Sequence, residues 1–350
     1  MSLLPLLRGR LSRAGAVVLA GAALLAAPAS TAAASSSHAR TAPHWKWSHP
    51  YTMPGHVDSV NGMACPTMQL CVAVSARKVL WTTQPTGGRS HWHSATLVTS
   101  TQTGAILDDV TCPTASFCVA ADDLGNVFVT THPTGGKSKW HEYAVDSIEI
   151  LSINCASAKL CAALDYYGNA LTTTNPAGAW HSVNLTSTTG ASYYSVDCSS
   201  KHLCAAVEDD GKVAYTTNPG SATPKWRHAR VGGPGWKSVS CPTDHKCVAV
   251  GGDTNGAIAV STNPAGGSNT WHRTTVHPAG LGLGKVDCPA AGFCMAVASE
   301  DWFSYSPAAT ASHWHRKTVA SGSQTAVSCP NTKHCFVGTS TTQFIRGAKA

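Results

Sequence analysis

Fourteen cysteines are the side chains of this 350-residue chain most able to do chemistry, and their spacing narrows what that chemistry is. They fall in seven pairs with five residues between partners: Cys65 and Cys71, Cys112 and Cys118, Cys155 and Cys161, Cys198 and Cys204, Cys241 and Cys247, Cys288 and Cys294, Cys329 and Cys335. Two thiolates in each of seven separated units assemble no four-ligand cluster, so a metal is not expected. Seven copies of one pair also argue for a structural role over a redox one. A tight turn between two cysteines can bring their Cβ atoms within the roughly 3.5–4.5 Å that a disulfide needs. Pro66, Pro113, Pro242, Pro289 and Pro330 favour such a turn. The expected chemistry is seven local disulfides.

Oxidised cysteines require an oxidising compartment, and the first residues supply the route. Arg8, Arg10 and Arg13 precede an uncharged Ala/Leu/Val stretch from Ala14 to about Ala27, followed by small residues at Ala29 and Ala32 to Ala34. This reads as a secretory signal peptide over residues 1–34. The apolar run is shorter than the roughly 20 residues a spanning helix takes. A secreted protein, or one held at the cell surface, is expected, with no transmembrane span after cleavage. Residues 35–43 read as a flexible tether and 44–350 as the folded domain. Removing the signal takes three of the 25 lysines and arginines and none of the 18 acids, leaving a formal charge of +4, too mild to imply nucleic acid.

The elements that position the cysteines recur with them. Successive first cysteines lie 47, 43, 43, 43, 47 and 41 residues apart. A unit of about 44 residues has the length of a four-stranded propeller blade. In the unit around Cys241, a first strand ends as Ser238-Val239-Ser240-Cys241 and a second opens as Cys247-Val248-Ala249-Val250. A third, Ala257 to Thr262, runs into Asn263-Pro264-Ala265-Gly266-Gly267, and a fourth opens at Trp271-His272. The unalternating apolar second strand suits a sheet covered on both faces. The last unit ends at Ala350 without its tryptophan strand, while an orphan copy, Trp45-Lys46-Trp47-Ser48-His49, stands at the front. The fold expected is all-β: a seven-bladed β-propeller of four-stranded blades, one disulfide per blade, closed by the N-terminal strand, which removes the exposed sheet edge. A monomer is expected.

The tryptophans repeat as Trp92-His93, Trp140-His141, Trp180-His181, Trp226, Trp271-His272 and Trp314-His315. One indole per blade at a fixed position is what packing between blades demands, although an indole can also serve as a sugar platform. The histidines are spread around the ring, so no three converge on a metal. Thr173-Thr174-Asn175-Pro176-Ala177-Gly178-Ala179-Trp180 resembles the Asp-box of sialidase-like and BNR-repeat propellers. Looser copies are Thr83-Gln84-Pro85-Thr86-Gly87-Gly88 and the segment from Thr262 to Gly267. The chain is also similar to photosystem II assembly-factor-like propellers and to Cys-rich exported repeat proteins of actinobacteria. The acidic box residue is replaced by Asn175, Asn218, Asn263, Gln84 or His132, so the resemblance implies turns and a fold, not an activity.

A sialidase-like hydrolase would need arginines, a nucleophile and an acid/base near the ring axis. Arg89, Arg227, Arg273 and Arg316 instead sit at outward positions, and Glu142, Glu149, Glu208 and Glu300 are the only mature-chain glutamates. No nucleophile elbow, zinc helix or phosphate loop appears, and no cofactor is implied. A non-enzymatic binding or scaffold propeller is expected, its partner an extracellular protein, glycan or cell-wall polymer. A glycoside hydrolase and a purely structural surface protein are the alternatives. Charge divides between the ends of the ring. Lys201, His202, His245, Lys246, Lys333 and His334 mark a basic end, and Asp123, Asp165, Asp210, Asp253 and Asp301 mark an acidic one. The acidic set is also explained by turn propensity alone.

Overall fold

A computed structural model describes residues 44–55, 58–98, 105–186, 192–233, 235–252, 256–275, 282–298 and 323–350, with the isolated strands Asp301–Tyr305 and Trp314–Thr318. The signal peptide and tether expected over residues 1–43 lie outside the described residues.

Each repeat folds as an antiparallel meander. In the third, Ile150–Ser157, Leu160–Asp165, Asn169–Thr173 and His181–Asn184 pair in chain order. The second strand is buried along its whole length, as its unalternating sequence demands. The fourth is exposed on most of its residues, which suits an outer edge. The first strands of successive sheets pack side by side and close on themselves, Gln324–Asn331 of the last sheet lying against Gly62–Thr67 of the first.

Six of the sheets are four-stranded blades, and each is stapled by its own disulfide with Cα atoms 4.0–4.1 Å apart. The expectation of seven four-stranded blades is therefore corrected to six. The sheet that joins the chain ends, which holds the Cys329–Cys335 bridge, has five strands. Trp45–Trp47 pairs with one end of Gln343–Lys349, and the two-residue strand Tyr51–Thr52 pairs with the other end. The physical reason lies in Ser48 to Pro50. Pro50 has no N–H to offer the ladder, so the edge strand breaks there. Ser48 covers the break, donating its N–H to the Arg346 carbonyl at 2.8 Å and accepting the Arg346 N–H on its hydroxyl at 3.0 Å.

Packing between sheets explains the repeated tryptophans. Trp140 of the second sheet packs with Leu70 and Trp81 of the first, Trp271 of the fifth with Leu203 and Tyr215 of the fourth. Trp92 of the first sheet meets Phe344 of the closing sheet edge-on at 5.0 Å. Trp45 makes the equivalent contact in the closing sheet, stacking on Phe293 of the sixth at 5.5 Å while only 2% exposed. The indoles are therefore mortar between neighbours.

Candidate functional site

The first strands leave a polar axial channel of about 350 Å³. A strand at the inner edge of a blade has backbone N–H groups with no further strand to receive them. Here side chains receive them. The residue just before the first cysteine of one sheet accepts the backbone N–H of the first cysteine in the next. Ser328 takes Cys65 at 2.9 Å, Thr111 takes Cys155 at 3.3 Å, and Asn154 takes Cys198 at 3.1 Å. Asp197 takes Cys241 at 2.5 Å, Ser240 takes Cys288 at 3.1 Å, and Asp287 takes Cys329 at 2.6 Å. A second tier, two residues earlier, repeats the device: Asp109 to Ile153, Ser152 to Val196, Ser195 to Val239 and Ser238 to Val286, at 3.0–3.3 Å.

The sixth and closing sheets carry Lys285 and Ala326 at the upper position, and the first sheet lacks an acceptor at both, with Gly62 and Ala64. A Cβ on Gly62 would lie 2.8 Å from the Asp109 carboxylate and the Val110 nitrogen, so no side chain fits. Asp109 compensates by accepting its own neighbour Val110 N–H on one oxygen and Ile153 on the other, 2.9 and 3.0 Å. Nothing replaces the hydroxyl absent at Ala64. Ala64→Ser is therefore expected to complete the lower tier by accepting the Cys112 N–H, stabilising the fold by about 1 kcal/mol, read as a raised thermal midpoint. An unchanged or lowered midpoint would show that the tier is not a stabilising device.

These axial carboxylates are costly to ionise. Burial pushes Asp197 up to about 7, with the charge of Asp287 adding to it and the Cys241 N–H opposing. Burial likewise raises Asp287 to about 6 against the N–H groups of Cys329 and Cys288. Asp109 is raised by burial, with Lys285 working the other way. No arginine lines the channel among the described residues. Sequence reasoning missed these residues, although a polar residue stands before six of the seven first cysteines.

The two ends differ. At the end formed by the first-to-second and third-to-fourth strand turns, Lys201 and His202 are exposed and border a groove of about 500 Å³ between the third and fourth sheets. Ser157, Lys159, Thr174, Thr217, Asn218 and Ser221 complete its polar lining. Leu160 and Gly220 lie at its base, where a Cβ on Gly220 would touch Thr174 at 3.4 Å. His245 and Lys333 are exposed elsewhere on this end. Lys246 is 7% exposed, and burial lowers its pKa, so it is no surface charge. His334 is half-buried with Nδ1 3.1 Å from Asn331 Oδ1. Asp244 sits among them, accepting Ser199 and Ser200 hydroxyls at 2.6 and 2.7 Å. Burial works to raise this carboxyl, but those hydroxyls with His202 and His245 hold it low.

At the opposite end the expected acidic set proves heterogeneous. Asp165 is fully buried and accepts the Asn169 backbone N–H at 2.7 Å and its side-chain amide at 2.5 Å. It shapes a turn. Asp123 accepts the Ile106 N–H at 2.9 Å, and Asp210 pairs with Lys212. Asp253 lies outside the described residues, and so does the side chain of Asp301, whose backbone continues a strand. The turn account thus explains Asp165, whereas Asp123 ties its turn to the segment before Leu107. No group of three metal-binding side chains occurs among the described residues.

The turns that resemble Asp-boxes hold by another route. Thr173 accepts the Asn175 N–H on its hydroxyl at 3.0 Å, and Asn175 accepts the Gly178 N–H at 2.8 Å. Thr82 with Gln84, Thr130 with His132 and Ser261 with Asn263 repeat it at 3.0–3.2 Å. The hydroxyl fixes the turn, so no acid is needed.

Comparison with protein-family models gives no match, and comparison with curated proteins gives none either. Solved structures do match. The chain is similar to U3-55K, with a TM-score of 0.69 at 7% identity over 85% of this chain and 98% of that one. It is similar to the WD40 β-propeller domain of Doa1, at 0.68 and 10% identity over 88% and 98%. YCF48 bound to D1 peptide gives 0.65 and 12% identity over 87% and 97%. The fold is a β-propeller.

Proposed function

We propose that this β-propeller is an exported, non-enzymatic binding module, and that its Lys/His end takes an anionic extracellular polymer, a glycan or cell-wall chain bearing carboxylates or phosphates. The observation that carries the reading is the groove between the third and fourth sheets, where Lys159, Lys201 and His202 line one cavity with hydroxyl and amide groups and no carboxylate. The YCF48 structure, which contains a bound peptide, and the WD40 propellers resemble it in fold and support a binding role by analogy only. The seven disulfides support an oxidising, extracellular setting, and no described helix is long and apolar enough to cross a membrane. The resemblance to BNR-type, actinobacterial exported propellers belongs to the same proposal.

The axial carboxylates speak against the glycosidase alternative. Asp109, Asp197 and Asp287 each accept a backbone N–H of the next sheet, which gives them a structural occupation. Exposed charges gain little singly and are screened over about 8–10 Å, so affinity for a polymer comes from several weak contacts. Polyphosphate and polygalacturonate are the probes. Binding to the oxidised protein is expected to weaken at least tenfold between about 50 and about 300 mM salt. Salt-independent binding, or release of shortened chains, would contradict the reading.

A further inference from the structure

The opposite end carries a surface that the anionic-polymer reading does not use. Tyr166 and Tyr167, 57% and 61% exposed, are the large hydrophobic side chains left in solvent among the described residues, and their rings meet edge-on at 5.7 Å. They occupy the turn after Leu160–Asp165, and that turn is tied to the preceding loop by the Tyr166 N–H donating to the Glu149 carbonyl at 2.9 Å. Two adjacent exposed tyrosines are not needed for a turn that Asp165, Asn169 and Gly168 already define.

The loop tied to this pair is acidic, through Glu149. Glu149, Asp108 and Asp123 lie within electrostatic reach of one another, and no lysine or arginine among the described residues pairs with them. One carboxylate oxygen of Asp108 is shielded from solvent and meets no donor. The same end shows what such a surface accepts. Asp108, Leu151, Tyr194 and Lys237 stand at one repeat position in consecutive sheets, four residues before the first cysteine. There the Lys237 ammonium sits over the Tyr194 ring, 4.0 Å from its centroid. An ammonium on a tyrosine face is thus a contact already made between the fourth and fifth sheets.

We infer that Tyr166, Tyr167 and Glu149, with Asp108 and Asp123 behind them, form a docking surface for a lysine- or arginine-bearing segment of a protein partner. Charge complementarity selects the cationic side chains, and the tyrosine faces hold them by cation–π contact. Tyrosines also supply rigid amphipathic area of the kind that dominates protein interfaces. The site is at the other end of the ring from the Lys/His groove, so either assignment can fail alone. Asp108 adds a signature. Burial, then the charges of Glu149 and Asp123, push it up to about 8, so it is largely protonated at neutral pH, and an arriving cation should displace that proton.

The test is calorimetric titration of the oxidised full-length protein with an octa-arginine peptide at pH 7 in two buffers of different ionisation enthalpy. Saturable binding with proton release is expected. Tyr166→Ser with Tyr167→Ser should weaken it at least tenfold without moving the thermal midpoint, since both side chains are exposed. Glu149→Gln should weaken it several-fold and flatten the salt dependence, while Lys159→Ala with Lys201→Ala should not weaken it. Absence of saturable binding would overturn the inference. So would loss with Glu149→Gln but not with the tyrosine pair, which is the mark of unspecific Coulomb attraction. Equal affinity for a chitosan oligomer, an amine polymer with no peptide backbone, would overturn the assignment to a protein.

Discussion

Deletion of residues 44–53 is expected to leave most of the protein unfolded at about 25 °C, although it removes fewer than a dozen residues. Trp45 and Met53 are 2% and 1% exposed, and both fill the junctions on either side of the closing sheet. Loss of a buried tryptophan costs about 3–5 kcal/mol, and a methionine about 2–5 kcal/mol. The sum approaches the 5–15 kcal/mol of a typical domain. Deletion also strips the partner from Gln343–Lys349, exposing a strand edge that pairs with other copies. Single substitutions separate packing from pairing. Trp45→Ala should lower denaturant stability by about 3–5 kcal/mol. Lys46→Ala, whose side chain is exposed on the same strand, should change it by less than about 0.5 kcal/mol. Equal effects of the two substitutions would mean that the N-terminal strand is not part of the ring's core.

Raising the pH from 5 to 8 should destabilise the fold, the reverse of what paired surface carboxylates produce. Asp108, Asp197, Glu208 and Asp287 are pushed up to about 8, 7, 7 and 6, each chiefly by burial. An unfolded chain ionises these groups near pH 4. A folded pKa above the unfolded one means that the native state holds its proton more tightly. The stability is therefore complete below about pH 4 and is lost as pH rises through the window to about 8. Glu208 is the clearest case, with no exposed surface. Lys212 Nζ stands 3.7 Å away but is shared with Asp210. Glu208→Gln should accordingly raise the thermal midpoint at pH 8 and leave it little changed at pH 5. A wild-type midpoint that climbs steadily from pH 5 to 8 would contradict these assignments.

Glu208 also illustrates what a sequence hides. Asp122 and Asp165 end the second strand of their sheets at the equivalent position and accept the turn's own N–H groups. One added methylene puts the Glu208 oxygens out of that geometry, and only coordinates reveal it. Period, disulfides, tryptophan mortar and N-terminal closure were legible because each repeats at a fixed spacing. The strand count of the closing sheet was not, since it turns on how Ser48 bridges the break at Pro50. The axial tiers were half-visible: Thr111, Asn154, Asp197, Ser240, Asp287 and Ser328 all precede a first cysteine. Their function was hidden because each serves a backbone N–H in the next sheet, 42–48 residues on or, for Ser328, 263 residues back. At the basic end Lys201 and His202 are exposed while Lys246 is buried, a difference that the shared turn pattern does not carry.

The central claim is a division of labour, in which axial polar groups hold the ring and the outer groove binds. Affinity for polyphosphate at pH 6 and low salt, measured beside thermal midpoint, tests it on two variants. Asp197→Asn should keep wild-type affinity within about twofold while altering the midpoint, because its carboxylate serves the Cys241 N–H in the next sheet. Lys159→Ala with Lys201→Ala and His202→Ala should keep the midpoint and lose at least tenfold in affinity, since all three side chains are exposed in the groove. The opposite pattern, with binding lost on Asp197→Asn and retained in the groove variant, would place the ligand on the axis and contradict the account.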